Sequence, residues 1–250
     1  MSEGPQVKLV TERLQRALQG RRISRCLTSR PNLERPAAEL SGQMVRRIFC
    51  KGKHIFIEFQ SGLSLHNHLL MRGKWRKLSG PLLLLPEPMW LALETDNVSM
   101  CNYSGQMLRP LDAENVARQL DSLGPDVMDP SCDAARIARA LADSKLPVGQ
   151  ALLDQSVISG VGNVAKSEAM FLAGVHPDIP TGNLGAKHLR RLADAVYKVM
   201  WESYRMGGRW THRVYRNAGS SCPACGRRIL RIIQGPRKRT TYYCPGCQRQ

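Results

Sequence analysis

Residues 150–163 read Gln150-Ala-Leu-Leu-Asp-Gln-Ser-Val-Ile-Ser-Gly-Val-Gly-Asn163, a short apolar segment, a tight glycine turn and the start of a new segment. Asn163 is placed to cap the helix that begins there, because its side chain can satisfy a free backbone N–H. A glycine turn feeding a helix N-terminus exposes unpaired N–H groups and the positive end of the helix dipole, a pair of features that favours phosphate. Taken alone, the pattern is weak and reads better as a plain packing helix–turn–helix. Helical periodicity surrounds it, at Ala134–Ala142, Val148–Gln155, Asn163–Ala173 and Leu184–Tyr204. Residues 132–208 therefore read as a helical block that ends at Gly207-Gly208.

Outward toward the N-terminus the period changes. Val7, Val10, Leu14 and Leu18 recur at helical spacing, predicting one amphipathic helix over Glu3–Gln19. Beyond it, Lys53–Phe59 places Ile55, Ile57 and Phe59 on one face with Phe56 opposite, and Leu63–Leu69 alternates at its start. Such short runs, separated by Gly, Ser and Asn, predict an antiparallel sandwich or barrel over residues 1–125. Two prolines and a glycine in Leu123–Pro130 predict a linker at 126–131.

Toward the C-terminus the chain carries Cys222-Pro-Ala-Cys225 and Cys244-Pro-Gly-Cys247. Two CxxC turns supply four thiolates, the donor set of a closed tetrahedral structural zinc site. A module of residues 209–250 is too small to fold on apolar burial, so the metal is expected to supply its folding free energy. Gln234–Tyr243 reads as a β-hairpin presenting Arg237, Lys238 and Arg239 to phosphates. The other cysteines, Cys26, Cys50, Cys101 and Cys132, are scattered singly, which argues for reduced thiols rather than a disulfide framework.

Charge points the same way. Of the 250 residues, 37 are Lys or Arg and 20 are Asp or Glu, a net charge of +17. No acidic residue follows Ser203, where eleven basic ones stand. A surface of one sign calls for a polyanion. The longest apolar stretch, Pro81–Leu93, is too short to span a bilayer and is interrupted by Pro86, Glu87 and Pro88. The first ten residues have no apolar signal-peptide core.

In combination these segments resemble the formamidopyrimidine-DNA glycosylase/endonuclease VIII family. Leu152–Glu168, followed by Gly174-Val-His-Pro177, is similar to its helix–two-turn–helix. Tyr243-Cys-Pro-Gly-Cys-Gln248 resembles the end of its zinc finger, Leu123-Gly-Pro-Asp126 its linker, and Met1-Ser-Glu-Gly-Pro5 its N-terminus. Gly52-Lys53 and His68-Leu-Leu-Met71 with Gly73 fit its N-terminal barrel. The implied fold is α+β: an N-terminal antiparallel β-sandwich, a helical DNA-binding domain and a zinc-finger hairpin. The implied enzyme is a bifunctional DNA glycosylase and AP lyase that removes oxidised bases.

The resemblance assigns roles residue by residue. After loss of Met1, the Ser2 amine would attack C1′ and form a Schiff base. An α-amine has a pKa of about 8, against about 10.4 for lysine, so a usable fraction is neutral at pH 7. Glu3 would shuttle protons, and Lys53 would pair with Glu3 or hold a phosphate. Met71 would fill the hole left by a flipped base. Asn163, Lys166, Arg237, Lys238 and Arg239 would contact DNA. Cys222, Cys225, Cys244 and Cys247 would hold one structural zinc ion. Damaged DNA is the expected partner of a monomer that meets no membrane and works in the bacterial nucleoid or the nucleus.

Four departures bear on chemistry and substrate. Ser2 stands where the family usually has proline. Gln6 stands where the endonuclease VIII branch often has glutamate. Asn97–Gln106 lacks an Arg-Phe wedge, and Gly207–Cys222 is too short for an 8-oxoguanine-capping loop. In the missing wedge and loop, and in Val164–Glu168, the chain looks like the third vertebrate Nei-like branch, which favours single strands. A non-catalytic lesion-binding protein on the same scaffold is the alternative. His66 and His68 read as strand residues packing the barrel, His176 as structural, and Trp75, Trp90, Trp201 and Trp210 as packing residues.

Overall fold

The computed structural model describes residues 2–104 and 107–249. They form two compact units: Ser2 with Val7–Asp121, and Glu3–Gln6 with the chain from Ser122 onward. In chain order the first unit contains α1 (Gly4–Leu18, apart from its first residues), β1 (Arg25–Thr28), α2 (Glu34–Leu40), β2 (Val45–Lys51), β3 (His54–Phe59), β4 (Ser64–His68), β5 (Lys74–Leu78), β6 (Met89–Glu94), β7 (Ser99–Tyr103), β8 (Met107–Leu111) and α3 (Ala113–Asp121). The strands make two four-stranded antiparallel sheets, ordered β1-β6-β7-β5 and β2-β3-β4-β8.

The alternation read from sequence places the core between the sheets. Ile55, Ile57 and Phe59 of β3 join Leu65, Trp75, Leu91, Leu93 and Met100 in one apolar cluster. Val7, Leu14 and Leu18 of α1 enter the same cluster, one helical face burying its apolar stripe. Phe56, on the opposite face of β3, is fully buried and stacks on Phe49 and His66, with centroids 5.1 and 4.7 Å apart.

The second unit contains α4 (Ala134–Ala142), α5 (Val148–Ala151), α6 (Asn163–Ala173), α7 (Ala186–Arg205) and the hairpin β9 (Leu230–Gln234) and β10 (Arg239–Tyr243). Its core joins Ile137 and Leu141 of α4, Val148 and Leu152, Ala165 and Ala169 of α6, and Leu192, Val196 and Met200 of α7. Helical periodicity over Val148–Gln155 overestimates the helix: α5 stops at Ala151, and Asp154 then accepts from Ser156 in a tight turn. Leu123–Pro130 is no free tether. Val127 and Met128 belong to the helical core, Asp126 bridges to Ser159, and a Cβ on Gly124 would lie 2.5 Å from the Val157 carbonyl oxygen.

Side-chain contacts hold the cysteine hairpin against the helices. Phe171, Val214, Ile229, Cys222 and Cys244 form a small buried cluster. Beside it runs a polar chain: Lys166 Nζ donates to Thr241 Oγ1 at 2.7 Å, Thr241 Oγ1 donates to Gln234 Oε1 at 2.6 Å, and Gln234 Nε2 donates to the Pro177 carbonyl and to Asp178 Oδ1. Buried polar groups satisfied in this way fix the hairpin's register on α6. Gly149 makes room for it, since a Cβ there would sit 2.1 Å from Gln234 Oε1. Gly149→Ala should push Gln234 out of the chain and destabilise the second unit by about 1–3 kcal/mol. Urea unfolding would check this; an unchanged midpoint would show that the polar chain is dispensable.

Candidate active site and nucleic-acid interface

Glu3 is fully buried in the second unit. Its carboxylate lies on the N-terminus of α6, accepting from Val164 N–H (2.8 Å), Gly162 N–H (3.1 Å) and Ala165 N–H (3.2 Å). Three charge-assisted hydrogen bonds and the positive end of the helix offset the cost of burying the charge. The helix terminus read from sequence as a phosphate site is therefore filled by the chain's own carboxylate. Gly162 permits it, because a Cβ there would come within 2.3 Å of Glu3 Cδ. The helix is capped by the backbone of Gly162 rather than by Asn163, which is its first residue. Gln6 closes the Glu3 turn: its Oε1 accepts from Glu3 N–H at 2.9 Å, and its Nε2 donates to the Gly208 carbonyl.

Ser2, covalently next to Glu3, belongs to the first unit. Its backbone nitrogen donates to the Leu70 carbonyl at 3.1 Å. Leu70 sits at φ +48°, a left-handed conformation uncommon for a residue with a side chain. The turn is tight, since a Cβ on Gly73 would lie 2.5 Å from the Leu69 carbonyl oxygen. Met71, on the same turn, is 62% exposed. Lys53 occupies the β2–β3 turn and is buried.

The sequence reading missed His54. It forms one cluster with His66 and His68: His54 Nδ1 and His66 Nε2 are 2.8 Å apart, and the His54 ring stacks on His66 and meets His68 edge-on, each at 5.0 Å. Arg109 Nε donates to His66 Nδ1 at 3.3 Å, so the neutral His66 carries its proton on Nε2 and gives it to His54. His68 Nδ1 accepts from Leu70 N–H at 3.0 Å, tying the cluster to the turn that receives Ser2. Only register could have revealed it, since antiparallel pairing sets His54 opposite His68 and Phe56 opposite His66.

Of the residues assigned to DNA, Arg237, Lys238 and Arg239 lie exposed at the hairpin tip, with Lys238 at φ +47°. Asn163 donates through Nδ2 to the Thr240 carbonyl at 2.8 Å, which fixes its amide beside β10. Lys166 is turned the other way, contrary to expectation. Its ammonium is fully buried on Thr241, and burial lowers its pKa to about 7, Glu3 pulling it up and Arg239 pushing it down. It serves the hairpin's anchorage and presents nothing to a phosphate. Of the expected wedge region Asn97–Gln106, Val98–Asn102 are buried at or within β7, while Gly105 and Gln106 lie outside the described residues, as does Met1.

Cys222, Cys225, Cys244 and Cys247 bring their sulfurs within 4.8 Å of one another. The Cys225–Cys244 and Cys222–Cys247 separations are 3.4 and 3.8 Å. Four sulfurs at 2.3 Å from one ion stand about 3.8 Å apart in a tetrahedron, so the set fits a metal. Among the described residues it is the one group of this kind. Gly246 leaves the space, as its Cβ would lie 2.9 Å from Cys225 Sγ.

Comparison with known proteins agrees with this architecture. Residues 1–122 match the model of the formamidopyrimidine-DNA glycosylase N-terminal domain, and residues 123–214 match that of its H2TH domain. The chain is 32% identical to a formamidopyrimidine-DNA glycosylase of Acidiphilium cryptum, with all of both chains covered. It is 34% identical to the DNA-(apurinic or apyrimidinic site) lyase Nei2 of Mycolicibacterium smegmatis, with 99% of each covered. A Lactococcus lactis formamidopyrimidine-DNA glycosylase, solved bound to DNA containing an abasic site, superposes with a TM-score of 0.86 at 24% identity over the whole of both chains. Sandwich, helix–two-turn–helix and four-cysteine hairpin together define a DNA-repair glycosylase. The chain belongs to the formamidopyrimidine-DNA glycosylase/endonuclease VIII family of bifunctional glycosylases and AP lyases.

The histidine cluster predicts a pH dependence. Burial lowers His54 to about 3, with His68, His66, Lys53 and Arg109 adding repulsion. Burial and then Arg109 and His68 lower His66 to about 4; burial and then Lys53 lower His68 to about 4. The unfolded chain titrates near 6.5 and so binds protons first as pH falls. The cluster's stabilisation is thus complete above about pH 6.5 and is lost as pH drops through about 4 and 3. His54→Phe should keep the stacking and flatten the decline of melting temperature between pH 6.5 and 4. Parallel declines in the two proteins would place the dependence elsewhere.

Proposed function

We propose that the protein excises oxidised bases and cleaves the abasic site through a Schiff base on the amine of Ser2, freed by removal of Met1. The observation that carries this reading is the placement of the first residues. Leu70 accepts from the Ser2 nitrogen, and the next residue is clamped by three amides of α6. In the proposed reaction the neutral amine attacks C1′, the C1′–base bond breaks, and the base leaves protonated. The ring then opens to an imine, and removal of a C2′ proton expels the 3′ phosphate. A primary amine gives an imine that can lose its proton, so elimination is expected to be slower than from proline. Glu3 receives and returns protons, and Lys53 holds either that carboxylate or a phosphate.

The proposed domain roles follow the sequence boundaries. Residues 1–125 carry the nucleophile and Met71, 132–208 and 209–250 the phosphate contacts of Asn163, Arg237, Lys238 and Arg239, with 126–131 between. Cys222, Cys225, Cys244 and Cys247 hold one zinc ion with no part in catalysis. Zinc would close the hairpin's ends and supply folding free energy in addition to the Phe171 and Gln234 contacts. Elemental analysis should give one zinc per chain, and Cys244→Ser should lower both zinc content and DNA affinity. A fully folded, DNA-binding Cys244→Ser protein would refute the structural role.

The preferred substrate is a single-stranded, forked or crosslinked DNA, in line with the third vertebrate Nei-like branch. Flipping a base from a duplex costs a few kcal/mol and orphans its partner, and Met71 is the one exposed apolar side chain on its turn to offset that. A single strand has no orphan to support. Borohydride should trap the protein on an abasic single strand, and blocking the Ser2 amine should abolish trapping. Matched oligonucleotides carrying an oxidised pyrimidine or a hydantoin should be cut faster as single strands, with 8-oxoguanine opposite cytosine cut poorly. Duplex preference would refute the substrate reading, and trapping that survives the block would refute the nucleophile.

A further inference from the structure

The hairpin that carries Arg239 has a second basic face. Side chains alternate across a strand, so Arg239 shares its face with Thr241 and Gln234, while Tyr242 and its partner Arg231 point to the other. Thr241 and Gln234 are the residues buried toward Lys166. The opposite face borders a cleft of about 550 Å³, lined by Arg216, Gly219, Arg228, Leu230, Arg231 and Tyr242. The three arginines are exposed, and Tyr242 is half-buried. No acidic residue exists between Ser203 and the end of the sequence to balance them.

Arg216 is held there against its backbone preference. It stands at φ +64°, where a side chain is disfavoured. The preceding residues fix it: Glu168 accepts from the N–H groups of Arg213, Val214 and Tyr215, and the Tyr215 ring lies edge-on to Tyr242 at 5.2 Å. The Arg216 guanidinium sits 5.6 Å from the centre of the Tyr215 ring. Arg228 gives one donor to the Gly219 carbonyl, which anchors it at the rim. Planar guanidinium groups are the side chains suited to paired recognition of phosphates, and an aromatic ring beside them offers a surface for a base.

We propose that this cleft is a second nucleic-acid site, binding the backbone of a DNA segment other than the one engaged by Arg239. This rests on the reading of the protein as a DNA-binding glycosylase and extends it. A phosphate gripped at the Arg239 face cannot also reach Arg231 and Tyr242 on the reverse face of the same hairpin. The open, arginine-lined form suits a strand running through rather than an enclosed small molecule. Such a site would let one chain hold a lesion-bearing strand and a second strand together, as at forked or crosslinked DNA.

The test uses zinc-loaded full-length protein saturated with a short abasic-analogue oligonucleotide. A labelled, lesion-free thymidine oligonucleotide is then added and followed by anisotropy and native mass spectrometry. Wild type should form a complex with both oligonucleotides. Arg216→Ala with Arg231→Ala should weaken the second event at least tenfold and lower its log–log salt slope by about 1.4, at about 0.7 per phosphate on single strands. Cleavage of the short substrate should be unchanged within twofold. Arg13→Ala with Arg16→Ala, removing the same charge from exposed sites on α1, should leave the second event intact. Absence of a ternary complex in wild type, or equal weakening by both double variants, would overturn the site. So would ATP binding as tightly as the oligonucleotide. A protein that fails to cut the abasic strand yet still binds the thymidine probe through Arg216 and Arg231 would refute the catalytic reading alone.

Discussion

The burial of one carboxylate organises the second unit. Glu3 brings a negative charge out of water, and three amides at the start of α6 receive it. Without those amides the charge would cost several kcal/mol; without the charge the amides would be orphaned. Mutual need makes the arrangement specific. It explains Gly162, where any side chain would meet the carboxylate, and Gly4, whose N–H bonds the Gly160 carbonyl and whose Cβ would meet Met128 and Met200 within 2.9 Å.

From α6 the same logic runs to the hairpin. Lys166, near the amides that hold Glu3, is an amine buried beside a hydroxyl. Burial disfavours its charge and lowers its pKa to about 7, Glu3 opposes part of that shift, and Thr241 accepts its hydrogen bond. The polar chain through Gln234 to Asp178 then fixes the side of the hairpin that faces the helix. The opposite side is free to carry arginines. A surface with eleven basic residues and no acidic ones repels itself. Satisfied interior hydrogen bonds and the small cluster around Phe171 help hold it folded, beside four cysteines whose spacing fits a metal.

In the first unit the comparable constraint is the turn after β4. Leu70 adopts a conformation its side chain disfavours, and it is held from two sides, by His68 at its N–H and by Ser2 at its carbonyl. Strain kept in place by surrounding contacts is common where a backbone group is aimed at chemistry. Behind the turn, three neutral histidines and Arg109 share one face of the sheet, with both nitrogens of His66 and the Nδ1 atoms of His54 and His68 hydrogen-bonded.

Much of this was legible in the residues themselves. Alternation at Lys53–Phe59, the 3.6-residue spacing of α1 and the two CxxC turns depend on local geometry, so order along the chain was enough to predict sandwich, helix and metal hairpin. The class of DNA-binding enzyme was legible too, because several short motifs stand in one order. What order along the chain could not supply was the partner of each polar group. The glycine turn looked like a phosphate cradle until Glu3, 159 residues away from Gly162, was found in it. Lys166 looked like a DNA contact because a helix of known sequence does not say which face is inward. His54 looked like any strand residue until pairing set it against His66 and His68. The sequence determined the elements and the chemistry they carry; the tertiary structure decided which charge meets which helix end, because a buried polar group is defined by neighbours that lie far along the chain.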